Sequence, residues 1–91
     1  MLSFKDFVLK AIEEYNKYRS PEAKARLVKI SRKEIVLDIE GSFCKTCGVY
    51  DYFEDFIYEL QKLIDLKIKI ASYKEHGPET IRVKYTAEKG R

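Results

Sequence analysis

Apolar and polar residues follow two different periods along this chain, and these periods divide it into six segments. Apolar residues spaced about every three to four positions predict helices, whereas alternation at every second position predicts half-buried strands. Helical spacing covers about residues 3–19 and 49–65. Strand alternation covers about residues 23–30, 35–40, 66–71 and 81–86. The predicted order is therefore α-β-β-α-β-β.

Both predicted helices carry start signals. Ser3 and Asp6 have the spacing of a capping box, which marks the start of the first helix. Pro21 marks its end, because the residue before a proline disfavours helix. Acidic residues, among them Asp51 and Glu54, crowd the first two turns of the second helix, where they suit the helix dipole.

Two amphipathic helices and four strands, each apolar on one face, favour an α+β fold built as a two-layer sandwich. We expect both helices to cover one face of a four-stranded, mostly antiparallel sheet and to leave the other face open. The 91 residues leave room for a single domain over 1–91. Residues 72–80, which include Gly77 and Pro78, predict a loop, and residues 87–91 predict a frayed tail.

The periodicity also predicts the core. We expect the apolar stripe of the second helix to pack on the apolar phase of the strands, because all these positions share one face of their element. The helix positions are Phe53, Phe56, Ile57, Leu60 and Ile64. The strand positions are Ile35, Leu37, Ile39, Ile68, Ile70, Ile81 and Val83.

Composition narrows the class of protein. The chain is 45% hydrophobic and 36% charged, which is typical of folded rather than disordered proteins. No apolar run approaches the roughly 18 residues of a membrane span, and the first residues do not resemble a signal peptide. We therefore expect a cytoplasmic protein without a membrane partner. Abundant Lys, Glu, Ile and Tyr resemble the residue usage of thermophile proteins.

Cys44 and Cys47 form a C-x-x-C motif and are the two cysteines of the chain. The motif lies between the strand that is predicted to end at Gly41 and the helix that is predicted to begin after Gly48. A helix N-terminus favours thiolate, the form that binds metal or attacks a disulfide. Zinc and cubane iron–sulfur clusters commonly take four ligands, of which this motif supplies two. A metal site would then need a homodimer in which two chains bring four thiolates together.

Three interpretations of Cys44 and Cys47 stay open. They bind zinc or an iron–sulfur cluster across a dimer, they form a redox or structural disulfide, or they are ordinary small thiols. His76 is the one histidine and lies far along the chain, in the predicted loop, so it does not extend the motif.

Four parts of the chain carry a family resemblance. They are the predicted helix over residues 8–15, the predicted strand over 34–41 that leads into a glycine corner, the C-x-x-C motif, and the predicted helix over 49–64. Residues 1–70 resemble the C-terminal domain of the NifU family of iron–sulfur scaffolds. The resemblance implies a non-catalytic scaffold in which Cys44 and Cys47 are cluster ligands. The same helix–strand order resembles bacterial-type KH domains, although their Gly-x-x-Gly clamp is absent here.

Basic residues form a second candidate site. Lys67, Lys69, Arg82 and Lys84 fall on the polar phase of their strands and are expected to gather on the open face of the sheet. Arg26 and Lys29 are candidates to join them, and the nearby ring of Tyr73 is a candidate to stack on a base.

This surface predicts an alternative function, nucleic-acid binding, with the C-x-x-C motif as a structural disulfide. Lysine on exposed strands also discourages edge-to-edge aggregation, and the net charge of +3 is modest. A third hypothesis is a small protein-interaction module. The sequence contains no Ser-His-Asp set, phosphate loop or paired-carboxylate site, so we expect a protein without enzymatic activity.

Overall fold

A computed structural model describes residues 3–19, 22–41 and 49–89 of the chain. The helices and strands follow the predicted order. They are α1 (Phe4–Arg19), β1 (Lys24–Ile30), β2 (Glu34–Glu40), α2 (Val49–Gln61), β3 (Leu66–Glu75) and β4 (Thr80–Lys89).

The strands form one four-stranded sheet in the order β1-β2-β4-β3, and every neighbouring pair is antiparallel. β4 therefore lies between β2 and β3, which run in the same direction. β2, α2 and β3 form a split β–α–β unit. The predicted α+β fold, with two helices and a four-stranded antiparallel sheet, is confirmed.

The capping box of α1 forms as predicted. The backbone N–H of Ser3 donates to Oδ2 of Asp6 at 2.9 Å, and the backbone N–H of Asp6 donates to Oγ of Ser3 at 3.3 Å. These two bonds satisfy backbone donors that the first helical turn would otherwise leave unpaired. Within the described residues, no helix is long and apolar enough to cross a membrane.

The core lies between the two helices and one face of the sheet. Phe53, Phe56 and Leu60 of α2 have no exposed surface, and the apolar phases of β2 and β4 are buried beneath them. The predicted packing of the α2 stripe is confirmed, with Ile57, Ile64 and Ile70 partly buried at its margin. The fully buried strand residues are Ile35, Leu37, Ile39, Val83 and Tyr85.

The β3–β4 hairpin is longer than predicted. β3 continues to Glu75 and β4 begins at Thr80, so the connection shortens to residues 76–79. The His76 N–H donates to the Thr80 carbonyl at 2.8 Å, and Gly77 supplies the turn with a φ of 130°. The expectation of a loop over 72–80 was wrong for its first part. Residues 72–75 pair with β4, but all of them are exposed, so no alternation of buried and exposed positions indicates a strand there.

The C-terminal end of the sheet also differs from the expectation of a tail that frays from residue 87. β4 extends to Lys89, and Ala87 is buried. The Ala87 N–H donates to the Lys33 carbonyl at 2.8 Å, which ties this end of β4 to the turn between β1 and β2. Residues 90–91 lie outside the described ranges.

Candidate functional site

The sheet face opposite the helices, which we call the open face, is rich in basic side chains. The strand registers identify its residues because neighbours across the sheet point to the same side. Among the described residues, its eight basic residues are Lys24, Arg26, Lys29, Lys67, Lys69, Lys74, Arg82 and Lys84. Its four described acidic residues are Glu34, Asp38, Glu40 and Glu88.

The structure brings the four basic residues predicted from the sequence onto two neighbouring strands of this face. Lys69 lies opposite Thr86 and Lys67 opposite Glu88, so both lysines flank the β4 row that contains Arg82 and Lys84. Arg26 and Lys29 lie on the same face, on β1. All six basic residues that the sequence predicted for this surface therefore share one face of the sheet.

Sequence reasoning missed Lys74 because residues 72–75 were expected to form a loop. A bulge between Ile70 and Ser72 shifts the register of β3, so that Ser72 lies opposite Lys84 and Lys74 opposite Arg82. Lys74 thus joins the open face beside Arg82. The polar character of the segment was a signal, but the direction of its side chains depends on the bulge.

The same bulge overturns the expectation for Tyr73. Tyr73 lies opposite Val83, on the helix-covered side of the sheet. Its ring packs on Phe53 with 4.9 Å between ring centroids and meets Tyr50 edge-on at 6.1 Å. Tyr73 therefore packs against α2, and the described strand positions of the open face contain no Phe, Tyr or Trp.

Ion pairs compensate part of the charge on the open face. Lys84 Nζ lies 3.4 Å from Glu34 Oε2, and both side chains are about half exposed. Arg82 pairs with Asp38 at 2.8 Å. Within the described ranges, Lys67, Lys69 and Lys74 form no ion pair, so their charges remain available to an anion.

Asp38 is the centre of a cross-strand charge cluster. Its carboxylate accepts hydrogen bonds from Nε and Nη2 of Arg82 at 2.8 and 3.1 Å and from Nη2 of Arg26 at 3.1 Å. The hydrogen bond from Arg82 holds the pKa of Asp38 below its usual value, although burial opposes this shift. Asp38 therefore stays ionised at neutral pH and keeps both guanidinium groups on the sheet.

A shallow depression of about 440 Å³ lies on this face between the middle of the sheet and the β3–β4 hairpin. Its lining includes Lys29, Lys74, His76, Arg82 and Lys84, and Glu34 contributes a carboxylate. Ammonium and guanidinium groups that converge in this way can hold the oxygens of a phosphate group.

The C-x-x-C motif lies in residues 42–48, outside the described residues, so the structure describes its flanks alone. β2 ends at Glu40 and α2 begins at Val49, which agrees with the predicted strand-to-helix position. Gly41 has a φ of 139°, a value that favours glycine, and its N–H donates to the Glu79 carbonyl at 3.0 Å. The described residues contain no cluster of three or more His, Cys, Asp or Glu side chains that suits a metal ion.

The position of His76 differs from that expected of a distant loop. Because the Gly41 N–H donates to the Glu79 carbonyl, the hairpin that contains His76 lies at the end of the sheet where β2 ends. Gly41 and Glu79 are 38 positions apart along the chain, and this separation concealed their contact.

Comparison with known proteins supports the fold. No protein-family model matches the chain, and no curated protein matches it. A solved structure from a study of heme distortion in the H-NOX family superimposes with a TM-score of 0.53 at 13% sequence identity. The match covers 99% of this chain and 49% of that chain, so this chain spans about half of that protein's length. At this identity the likeness concerns the fold alone.

Proposed function

We propose that this domain binds nucleic acid through the phosphate backbone, with the open face of the sheet as its contact surface. The observation that carries the proposal is the charge of that face. Its eight basic and four acidic residues leave an excess of four positive charges, whereas the whole chain has a net charge of +3. The basic excess is therefore concentrated on one side of a molecule whose remaining surface is close to neutral.

The chemistry of the open face favours contacts to phosphate over contacts to bases. Lysine and arginine release counterions from the nucleic-acid backbone, and this release supplies most of the affinity of sequence-independent binding. Stacking on bases needs aromatic side chains, and the ring of Tyr73 packs against Phe53 instead. We therefore propose binding with little dependence on base sequence.

The first test reverses charges on the edge strand. The Lys67→Glu/Lys69→Glu variant is expected to bind a labelled DNA duplex more weakly than the wild type does. The slope of log affinity against log salt should lessen by about one for each lost phosphate contact. Fluorescence anisotropy at two or more salt concentrations measures both quantities.

A matched control separates the open face from net charge. Lys5→Glu/Lys10→Glu makes the same change in net charge at two exposed positions of α1, on the helix layer. This control should retain most of the affinity. Negligible binding by the wild type, or an equal loss in both variants, would contradict the proposal.

For the cysteine motif, we propose a second function as a thiolate site for zinc or an iron–sulfur cluster. Two features of the sequence support this proposal, the spacing of Cys44 and Cys47 and the resemblance to the NifU scaffold domain. The structure adds that α2 begins at Val49, soon after the motif. The dipole of α2 favours thiolate, and Asp51 in its first turn opposes part of this effect. Two thiolates from each of two chains complete a four-ligand site, so metal binding is coupled to homodimer formation.

Anaerobic reconstitution tests this second proposal. Wild-type protein supplied with zinc, or with iron and sulfide, should form a metal-loaded dimer that elemental analysis, visible absorption and sedimentation detect together. Cys44→Ser/Cys47→Ser should abolish metal loading and dimer formation with little effect on unfolding. A wild-type monomer that takes up no metal would leave the disulfide or ordinary thiols as the explanation of the motif.

A further inference from the structure

Asp38 differs from the other acidic residues of the open face in its burial. Its side chain is 2% exposed, whereas the side chain of Glu34 is 43% exposed. The strand register places Asp38 between Arg26 on one side and Arg82 on the other. The Asp38–Arg82 contact is bidentate, with both carboxylate oxygens and two guanidinium nitrogens, which fixes the plane of the guanidinium.

Arg82 retains hydrogen-bond donors beyond those that Asp38 uses. A guanidinium carries five N–H groups, and the contacts with Asp38 involve Nε and Nη2. Among the described residues, Nη1 of Arg82 has no hydrogen-bond partner. The side chain is 38% exposed and lines the depression together with Lys74 and Lys84.

We infer that Asp38 is a positioning residue, which holds Arg82 so that its remaining donors contact a phosphate of nucleic acid bound in the depression. This inference rests on the proposed nucleic-acid function. A flexible arginine loses side-chain conformational entropy when it binds phosphate. The contact with Asp38 already restricts the Arg82 side chain in the free protein, so less entropy is lost on binding. The carboxylate thus supports anion binding despite its negative charge.

Positioning of Arg82 and net charge predict opposite effects of Asp38→Asn on the affinity for DNA. Asp38→Asn removes a negative charge from the open face, so electrostatics alone predicts tighter binding of DNA. Loss of the bidentate contact predicts weaker binding, by about tenfold if one charge-assisted contact to phosphate is lost. Glu40→Gln removes the same charge from an exposed position of the open face outside the depression, and we expect equal or tighter binding in that control.

A second variant keeps the test informative if Asp38→Asn does not fold. Arg82→Lys keeps the charge but loses the planar fork, so it should also bind the duplex several-fold more weakly. The lysine still supplies one positive charge, so the salt slope should change little. Circular dichroism and thermal unfolding establish that each variant is folded before binding is measured.

The experiment compares the wild type, Asp38→Asn, Arg82→Lys and Glu40→Gln with one labelled duplex at fixed ionic strength. Weaker binding by Asp38→Asn and Arg82→Lys, with affinity retained by Glu40→Gln, supports the inference. If the wild type binds the duplex and both Asp38→Asn and Arg82→Lys bind as tightly or tighter, the inference is wrong and the nucleic-acid function stands. If the wild type binds no duplex, both are wrong. A parallel titration with inorganic phosphate identifies the ligand class, because saturable binding of free phosphate without duplex binding also overturns the inference.

Discussion

Replacing Phe56 with alanine is expected to lower the free energy of unfolding by about 3–5 kcal/mol. Phe56 has no exposed surface. Its ring centroid lies 6.4 Å from that of Tyr15 on α1 and 5.2 Å from that of Tyr85 on β4, so it connects three elements of the core. Truncation removes its apolar contacts and leaves a cavity that the neighbouring aromatic rings fill poorly. Because small domains are stable by about 5–15 kcal/mol, the loss would be a large fraction of the total.

Urea unfolding followed by circular dichroism measures this effect as a lower midpoint with an unchanged slope. Tyr58→Ala is the matched control, because Tyr58 lies on the same helix with 62% of its surface exposed. We expect that control to change the unfolding free energy by no more than about 0.5 kcal/mol. Alanine has a higher helix propensity than Phe or Tyr, so propensity cannot account for a loss. Similar losses in both variants would therefore contradict the prediction that the burial of Phe56 determines the result.

High pH is expected to unfold the protein through two buried tyrosines. Burial raises the pKa of Tyr15 and of Tyr85 above that of an exposed tyrosine, and Arg19 partly opposes the shift at Tyr15. Each hydroxyl donates to a carbonyl of α2, Tyr15 to Tyr52 at 2.9 Å and Tyr85 to Phe53 at 2.8 Å. Ionisation would remove these donors and place a charge in the core.

The sign of the pH dependence follows from the direction of both shifts. A pKa that is higher in the folded than in the unfolded state leaves stability intact below the unfolded value of about 10. Above that pH, the free energy of unfolding should fall by about 1.4 kcal/mol per pH unit for each tyrosine that stays protonated in the folded state. Two such tyrosines make the loss steep on the alkaline side.

Tyrosinate absorbance and circular dichroism, recorded together during an alkaline titration, measure this dependence. Part of the tyrosinate signal should rise at the same pH as unfolding. The Tyr15→Phe/Tyr85→Phe variant should unfold at higher pH, although each lost hydroxyl costs about 1 kcal/mol at neutral pH. Unfolding of the variant and the wild type at the same alkaline pH would show that other groups control the transition.

The hydrophobic pattern was sufficient to predict the fold because most apolar residues lie on the core-facing side of their element. The stripe that includes Phe53 and Phe56 predicted the buried face of α2, and the alternation around Leu37 predicted that of β2. What the pattern could not predict was the far end of β3. All residues of that end, from Ala71 to Glu75, are exposed, so no alternation of buried and exposed positions distinguishes it from a loop.

The candidate site was predictable in part for the same reason. Alternation placed Lys67 and Lys69 on the open face, and the structure confirms that they share this face with Arg82 on the neighbouring strand. The direction of Tyr73 and Lys74 depended on a single-residue bulge, which leaves no periodic signal in the sequence. The contact between Asp38 and Arg82 depended on the register of β2 against β4, two strands whose pairing is set by tertiary packing.

The position of β4 in the sheet determines when the sheet can assemble during synthesis. β4 is the last strand in chain order, yet it is hydrogen-bonded to both β2 and β3, which have no direct pairing with each other. During synthesis, the hairpin of β1 and β2 and the later β3 strand therefore cannot join into one sheet until β4 has left the ribosome. Pairings between distant segments slow folding because they require closure of long loops. Completion of this domain is accordingly a late event, in which the final strand unites two halves that were made before it.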